Sequence, residues 1–590
     1  MQSNCIREAS KACFNSCCAN PLHSSSPPAA AAAPRRDFVV AILSTIHPNT
    51  NFTNHESLPS SSELLSSLKN AVPNYLNTVL ADNIRAQDYY HLNLSNHVCL
   101  DYIGHGLFSY AQKQTSQPFF DFTYTSVSFT SHLLYGGGEE SPSSEFEARV
   151  KRRILNYMNL SEEDYSLAFT ANQSSAFKLL ADSYPFQSHQ NLLTVYDYDS
   201  EAVQLMIDTA GNRGGRTHSA AFSWPTLRVN SRKLRKIVVN KNKPRNRGLF
   251  VFPLQSRMTG ARYSYQWMNL ARENGWHVLL DASALAAKEM ETLGLSLFQP
   301  DFLICSFFKI FGENPSGFCC LLVKKSSVQI LNQSSTGIGM VSLVPAAKNI
   351  NNSAIDEADE LLQTTPSCSY KVSSPSPSSS SSSEIVEVMK NQKNLDQSIN
   401  KNKKKKSSHI PNDGVEVFEF RGLDHADTLG LILISSRLRY LVNWLVNALL
   451  SLRHPHSGNG LPLIMLCGPR VRLDRGPALS FNIYDWKGER VEPVLVQKLA
   501  DRHNISVSIG FLKNICFSEG FEEDKERLRK MNKSKRDSCG VGVVSASLGM
   551  LSNFEDVYRI WAFISRFLDA DFVEKEKWRY TALNQTTVEV

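Results

Sequence analysis

The sequence predicts an α/β fold, with a mostly parallel sheet in a large domain and a smaller α+β domain behind it. Three observations carry the prediction. Val278–Leu280 and Phe302–Cys305 are apolar runs of strand length, too short for helices and apolar enough for strands covered on both faces. Strand-like runs pass directly into helical ones, as where Tyr165–Thr170 turns through small polar residues into ANQSSAFKLLADSY. A Ser- and Lys-rich tract near residues 346–411 then separates this body from a second set of helices and strands.

Composition narrows the function classes. A chain of 590 residues with 42% hydrophobic content suits two to four domains and a large core. The net charge of +7 is modest and concentrates in runs such as Lys403–Lys406, so no nucleic-acid partner is expected. No stretch of about 18 consecutive apolar residues predicts a membrane span. The 12 cysteines show no CxxC spacing, which argues against a zinc site or a disulfide framework and for a reducing compartment. The Cys319-Cys320 pair inside an apolar run reads as buried, inert thiols.

Taken in order, residues 1–59 read as an N-terminal tail. Its Ser, Ala and Cys content fits either disorder or an organelle transit peptide, so the expected location is cytoplasmic, or plastid or mitochondrial in the second case. Residues 60–345 form the large domain. Apolar positions Leu64, Leu68, Val72, Tyr75 and Val79 recur at helical spacing and predict one amphipathic helix over 60–83. A basic stretch at 228–247 reads as exposed helix and loop, and residues 346–411 as a disordered insertion. Residues 412–570 form the small domain, opened by a long amphipathic helix, and 571–590 form a tail.

The chemistry concentrates between Trp276 and Val323. One apolar run ends in Asp281; the next ends in Ser306, with Lys309 three residues later. Ligands of open parallel sheets bind at the carboxyl ends of the strands, so an acid and an amine leaving neighbouring strands there face one crevice. A desolvated lysine forms a Schiff base with an aldehyde, and a carboxylate keeps a pyridinium nitrogen protonated. Together they describe a pyridoxal phosphate site.

The wording around these residues is more specific. LLDASA, PDFLICSFFKIFG and GFCCLLVKK resemble the aminotransferase-like domain of the molybdenum cofactor sulfurases, within the NifS-like class V pyridoxal phosphate family. The resemblance covers roughly residues 60–570 and implies fold type I of the pyridoxal phosphate-dependent transferases. It makes Lys309 the Schiff-base lysine and catalytic proton shuttle, and Asp281 the partner of the ring nitrogen. It places the phosphate on the turn of Ala171, Asn172 and Gln173, with a Thr170 or Ser174 hydroxyl as additional donor, where free N–H groups open a helix. It puts Tyr198 against the ring face where relatives use histidine, with Tyr196 as a competitor. Arg257 stands where relatives carry an asparagine and suits either the ring oxygen or a substrate carboxylate; Ser306 completes the set. An amino acid substrate and a homodimer follow from the same resemblance.

Two positions depart from the family pattern. Phe511 occupies the place of the sulfur-accepting cysteine, and Ser545 that of the arginine for the substrate carboxylate. Cys516 lies nearby, but its neighbours Ile515 and Phe517 favour a buried thiol. Arg257 or Arg421 can replace the missing arginine from another direction. The sequence therefore leaves two readings: an enzyme acting on an amino acid through Lys309, or a non-catalytic dimeric scaffold that retains pyridoxal phosphate as a structural ligand.

Overall fold

The structure of the protein, a computed structural model, describes residues 29–46, 50–101, 109–110, 120–124, 128–135, 142–239, 248–283, 295, 298–307, 318–331, 339–345, 420–455, 460–517 and 540–583. Lys309 and the 346–411 insertion lie outside the described residues, as does most of the expected N-terminal tail. The described parts of both expected domains fall in one compact unit, 1–346 with 419–590.

Among the described residues, nine strands make the main sheet: β1 (Phe120–Tyr124), β2 (Tyr165–Thr170), β3 (Asn191–Thr194), β4 (Arg216–Ser219), β5 (Gly248–Pro253), β6 (Trp276–Asp281), β7 (Phe302–Ser306), β8 (Cys319–Lys324) and β9 (Met340–Pro345). They lie in the order β1-β9-β2-β8-β7-β6-β5-β3-β4. From β7 to β4 all neighbours are parallel, whereas β8 and β9 run against the strands beside them. Every residue of β5 is buried, and β6 is buried except for the half-exposed His277. Strands covered on both faces need this continuous apolarity, which is what made them legible in the sequence.

The N-terminal region differs from the sequence reading. Residues 29–44 form helix α1 (Ala29–Ser44), and Ile42, Ile46 and Phe52 are buried, with Phe52 bonded through its backbone to Ser451 and Arg453. The alanine-rich run carries no apolar stripe that would have marked it. The expected helix over 60–83 is also broken, into α2 (Ser61–Ala71), a 3-10 turn at Pro73–Thr78 and α3 (Val79–Asp88). Pro73 lacks the N–H that a continuing helix requires and holds Val72 at φ −134°, outside the helical region. Leu76, Val79 and Leu80 consequently face outward, at 41–49% exposure.

Two further helices, α4 (Gln173–Ser183) and α5 (Glu201–Asn212), pack side by side against the main sheet. Past the insertion, α6 (Arg421–Leu450) is long and apolar enough to cross a membrane, yet most of it is buried inside the protein. Leu441, Val442, Trp444 and Leu445 are wholly buried, and Trp444 meets Phe554 and Trp561 edge-on. The helix kinks at Gly430, whose φ of 74° a side chain would disfavour. Arg437, also fully buried, bonds to the Ser552 carbonyl, Thr78 and Asp82, so this charge is spent inside the fold.

The second layer is an antiparallel sheet of β10 (Ile464–Cys467), β11 (Ala478–Ile483), β12 (Ser508–Leu512) and β13 (Val541–Ser547), in the order β10-β11-β13-β12. It packs with α7 (Pro493–Arg502) and is followed by α8 (Phe554–Ser565) and α9 (Ala570–Leu583). The last helix occupies most of the expected C-terminal tail. Val573 and Glu576 are buried, and Lys577 donates to Asp485.

A buried ion pair joins α3 to α8. Arg85 donates to both Asp556 oxygens, at 2.5 and 3.0 Å, and to the Leu551 carbonyl; Asp556 also completes the capping box that opens α8 with Asn553. Removing one partner strands the other charge in an apolar setting. Arg85→Ala is therefore expected to lower stability by about 3–5 kcal/mol in urea unfolding, whereas a change below about 1 kcal/mol would show that water reaches Asp556.

Candidate active site

Asp281 ends β6 and lies opposite Ile304 of β7, so it and Ser306 leave adjacent parallel strands at the same carboxyl edge. Asp281 is 2% exposed. One carboxylate oxygen accepts from Tyr196 Oη at 2.9 Å, with Gln173 Nε2 at 3.5 Å; the other accepts from Ser283 N at 2.9 Å. Burial raises its pKa, and the bonds from Ser283 and Tyr196 and the charge of Arg257 offset only part of that rise. The Tyr196 phenol is pushed well above its ordinary value, first by burial and then by Asp281, so it stays protonated and donates.

The turn between β2 and α4 stands next to this carboxylate. Thr170 is fully buried, and its Oγ1 lies 3.1 Å from the Asn172 carbonyl and 3.2 Å from that of Cys319, so the hydroxyl is used inside the fold. Ala171 N donates to Gly339 O, and the Asn172 side chain caps α4 by accepting from Ser175 N at 2.8 Å. The N–H groups of Gln173 and Ser174 open the helix with no intrahelical acceptor. Gln173 points its side chain at Asp281, so the anion-attracting end of α4 and the buried acid border one space.

Across from them, the Tyr196 and Tyr198 rings meet at 5.6 Å and 78°, and the Arg257 guanidinium lies 5.0 Å from the Tyr198 ring centre. Arg257 Nε is buried without a hydrogen-bond partner among the described residues. The turn that carries Arg257 is held rigidly. Ser256 and Thr259 each donate to Asp197 at 2.7 Å, and the Met258 carbonyl accepts from Ser480 and Ser545 at 2.6 and 3.1 Å. Gly260, at φ 68°, closes the turn where a Cβ would come within 2.2 Å of the Ala478 carbonyl.

The donor set fits pyridoxal phosphate. Asp281 offers a buried anion for a ring cation, while the start of α4 and Arg257 offer N–H groups without a partner among the described residues, the first for a phosphate. Lys309 lies outside the described residues. Sequence reasoning left Tyr196 and Tyr198 as competitors; Tyr196 is the one bonded to Asp281, whereas Tyr198 faces Arg257. It missed Asp197, whose role depends on hydroxyls about 60 residues away that no local pattern displays.

No family model matches the chain. Among curated proteins it is similar to the molybdenum cofactor sulfurase of Arabidopsis thaliana, 29% identical over 284 residues, which are 42% of this chain and 33% of that protein. It is 25% identical to that of Bos taurus over 451 residues (70% and 44%) and 25% identical to that of Homo sapiens over 520 (82% and 50%). The chain is a sequence relative of the molybdenum cofactor sulfurases. It spans about half or less of the length of these relatives. Among solved structures, the apo cysteine desulfurase of Thermococcus onnurineus aligns with a TM-score of 0.49 at 14% identity, covering 84% of this chain and 98% of that one. A cysteine desulfurase of Escherichia coli aligns at 0.46 and 12%, covering 83% and 98%.

The two positions that depart from the sulfurase pattern have structural uses here. Ser545 is 1% exposed and spends its hydroxyl on Met258. The half-buried Phe511 lays its ring over Gly540, where a Cβ would sit 1.9 Å from it, and its carbonyl accepts from Asp199 N at 2.7 Å. Cys516, expected to be buried, is half-exposed. Among the described residues its two-residue strand pairs with Phe222–Ser223 alone, and Lys233 Nζ lies 3.9 Å from Sγ. Cys305, Cys319 and Cys320 are buried, and burial pushes their thiols up, which removes them as nucleophiles. The Arg421 side chain lies outside the described residues.

Asp197 gives this site a pH signature. Burial lifts its carboxyl from 3.8 to about 6 in the folded chain, against the pull of the Ser256 and Thr259 bonds. A raised acid favours the folded state below its unfolded pKa and loses that advantage as pH rises through about 6. Asp197→Asn stays neutral throughout, so its stability relative to the wild type should improve by on the order of 2–3 kcal/mol between pH 4 and 7. Paired urea titrations read this directly; a gap that does not change with pH would place the Asp197 titration near its ordinary value.

Proposed function

We propose that the chain binds pyridoxal phosphate and acts on an amino acid, with Lys309 holding the cofactor aldehyde. The observation that carries the reading is Asp281: a carboxylate buried at the carboxyl end of β6, with no ion pair among the described residues, next to the strand that leads to Lys309. When bound, the cofactor supplies a protonated heteroaromatic ring that withdraws electrons from the substrate's α-carbon. Asp281 keeps the proton on the ring nitrogen, and Tyr196 and Ser283 fix the carboxylate in place for that task. The N–H groups at the start of α4 bind the phosphate. Arg257, with its unpaired Nε, orients either the ring oxygen or the substrate carboxylate, and Lys309 moves the α-proton. Fold type I sites of this kind are shared between two protomers, and a homodimer belongs to the reading.

A second reading follows from Ser545 and Phe511. One hydroxyl is committed to Met258, and the other position holds a ring packed over Gly540, so neither offers a guanidinium or a thiol. This favours a dimeric scaffold that keeps the cofactor as a structural ligand. Desulfuration of cysteine would then need another acceptor; the half-exposed Cys516 is the described thiol outside the core that lies nearest in sequence to Phe511.

Absorbance spectroscopy separates the readings. Purified protein incubated with pyridoxal phosphate is expected to turn yellow, and Lys309→Ala to remain colourless after the same treatment. A colourless wild type would sink both readings. Adding amino acids singly to the loaded protein should shift the band for at least one of them; spectral silence with all, cysteine included, selects the scaffold.

A further inference from the structure

A cleft of two chemically different halves lies away from Asp281. The first half, a cavity of about 570 Å3, sits between the Phe222–Val229 hairpin, the turn at Ala261–Tyr263 and the loop Gly468–Asp474. The second, of about 640 Å3, adjoins it and shares Thr226, Gly468 and Arg470 as a common wall.

Arg228, Arg262, Arg470 and Arg472 line the first half, where Asp474 is the one acid among the described residues. That acid is already matched: Arg472 grips it through two bonds, at 2.6 and 2.8 Å, and the charge of Arg35 on α1 acts on it as well. Arg475, 3% exposed on the same loop, spends its guanidinium on the carbonyls of Pro469, Gly476 and Ala478. It has no carboxylate partner among the described residues, and burial together with Arg472 pushes its pKa down to about 9. Arg262 donates to the neutral Gln255. Arg228 and Arg470 are exposed, without an ion pair or side-chain hydrogen bond among the described residues. Four guanidinium groups thus line the first half beside one carboxylate, with Arg475 buried behind them on the same loop. With Arg472 matched by Asp474, the lining keeps a surplus of positive charge that an anion of more than one charge complements.

The second half is walled by Leu450, Leu461, Ile464, Met465 and Leu466, and its acid, Asp485, is held by Lys577 and the backbone N–H groups of Lys487 and Glu489. It offers apolar surface next to the arginines.

We propose that this cleft binds a phosphate ester with an apolar body, the phosphate among Arg228, Arg470 and Arg472 and the body against Leu461 and Met465. The forked guanidinium matches phosphate oxygens two at a time, and the adjoining cavity has room for a ring system. Neither Asp281 nor the start of α4 lines the cleft, so the assignment is independent of the reading of Lys309.

Calorimetric titration of the full chain, loaded with pyridoxal phosphate and then freed of unbound cofactor by gel filtration, with phenyl phosphate, inorganic phosphate and benzyl alcohol tests the assignment. Phenyl phosphate is expected to bind more tightly than inorganic phosphate, and benzyl alcohol not measurably. The double variant Arg228→Ala/Arg470→Ala changes two exposed side chains and should keep the wild-type melting profile while weakening phenyl phosphate at least tenfold. Leu461→Asp should abolish the advantage of phenyl phosphate over inorganic phosphate. Equal affinity for the two phosphates, or undiminished binding by the double variant, would overturn the proposal. Co-sedimentation with phosphatidylcholine vesicles containing phosphatidic acid, lost in the double variant, would instead assign the arginines to a lipid headgroup. If Lys309 does not hold pyridoxal phosphate, these titrations still report on the arginines, because that failure appears in the spectrum alone.

Discussion

A carboxylate buried in an apolar sheet must find a cation or take up a proton, and the surroundings of Asp281 are arranged around that constraint. β5, β6 and β7 are apolar on both faces, which brings Asp281 to the edge of the sheet with little solvent to hydrate it. Tyr196 and Ser283 supply neutral donors, and these lower the cost of the charged form without neutralising it. Arg257 is near enough to act on the carboxylate, but its guanidinium is aimed at the Tyr198 ring. Among the described residues no side-chain cation is ion-paired with this carboxylate.

The second sheet is tied into the same site by polar contacts. Ser480 of β11 and Ser545 of β13 hold the carbonyl of Met258, next to Arg257, while Asp197 grips that turn from the other side. The segment Asp197–Asp199 is in turn bonded to Phe511 and Lys513 around the end of β12. Two segments of the large sheet's loops are therefore positioned by the small sheet. A substitution at Ser545 or Phe511 reaches Arg257 or Asp197 through one or two intermediate contacts. These two positions thus have an account in packing as well as in chemistry.

Much of the main sheet could be read from the chain because parallel strands need unbroken apolar runs, and Val278–Leu280 and Phe302–Cys305 have them. The start of α4 was equally readable, since small polar residues separate the strand run Tyr165–Thr170 from a helical one. The regions misread are those where local pattern and tertiary fate part. Leu76, Val79 and Leu80 continue an apolar period that Pro73 has already broken, and the Ala-rich α1 buries Ile42 in the core despite lacking a stripe. Ile515 and Phe517 made Cys516 look interior, but a two-residue edge strand has too little cover to bury it.

By itself, the sequence determined the chemistry available at the carboxyl edge of the sheet, the acid at 281 and the strand-to-helix turn at 171–173, because strand length and turn composition are local properties. Only the tertiary structure decided which tyrosine serves Asp281, that Asp197 rather than Asp199 is the buried acid, and that Ser545 is bonded to backbone. It also brought arginines at 228, 262, 470 and 472 to one cleft. The physical reason is the same in each case: hydrogen bonding and charge act through space over a few ångströms, and the partners here are separated by tens to hundreds of residues along the chain.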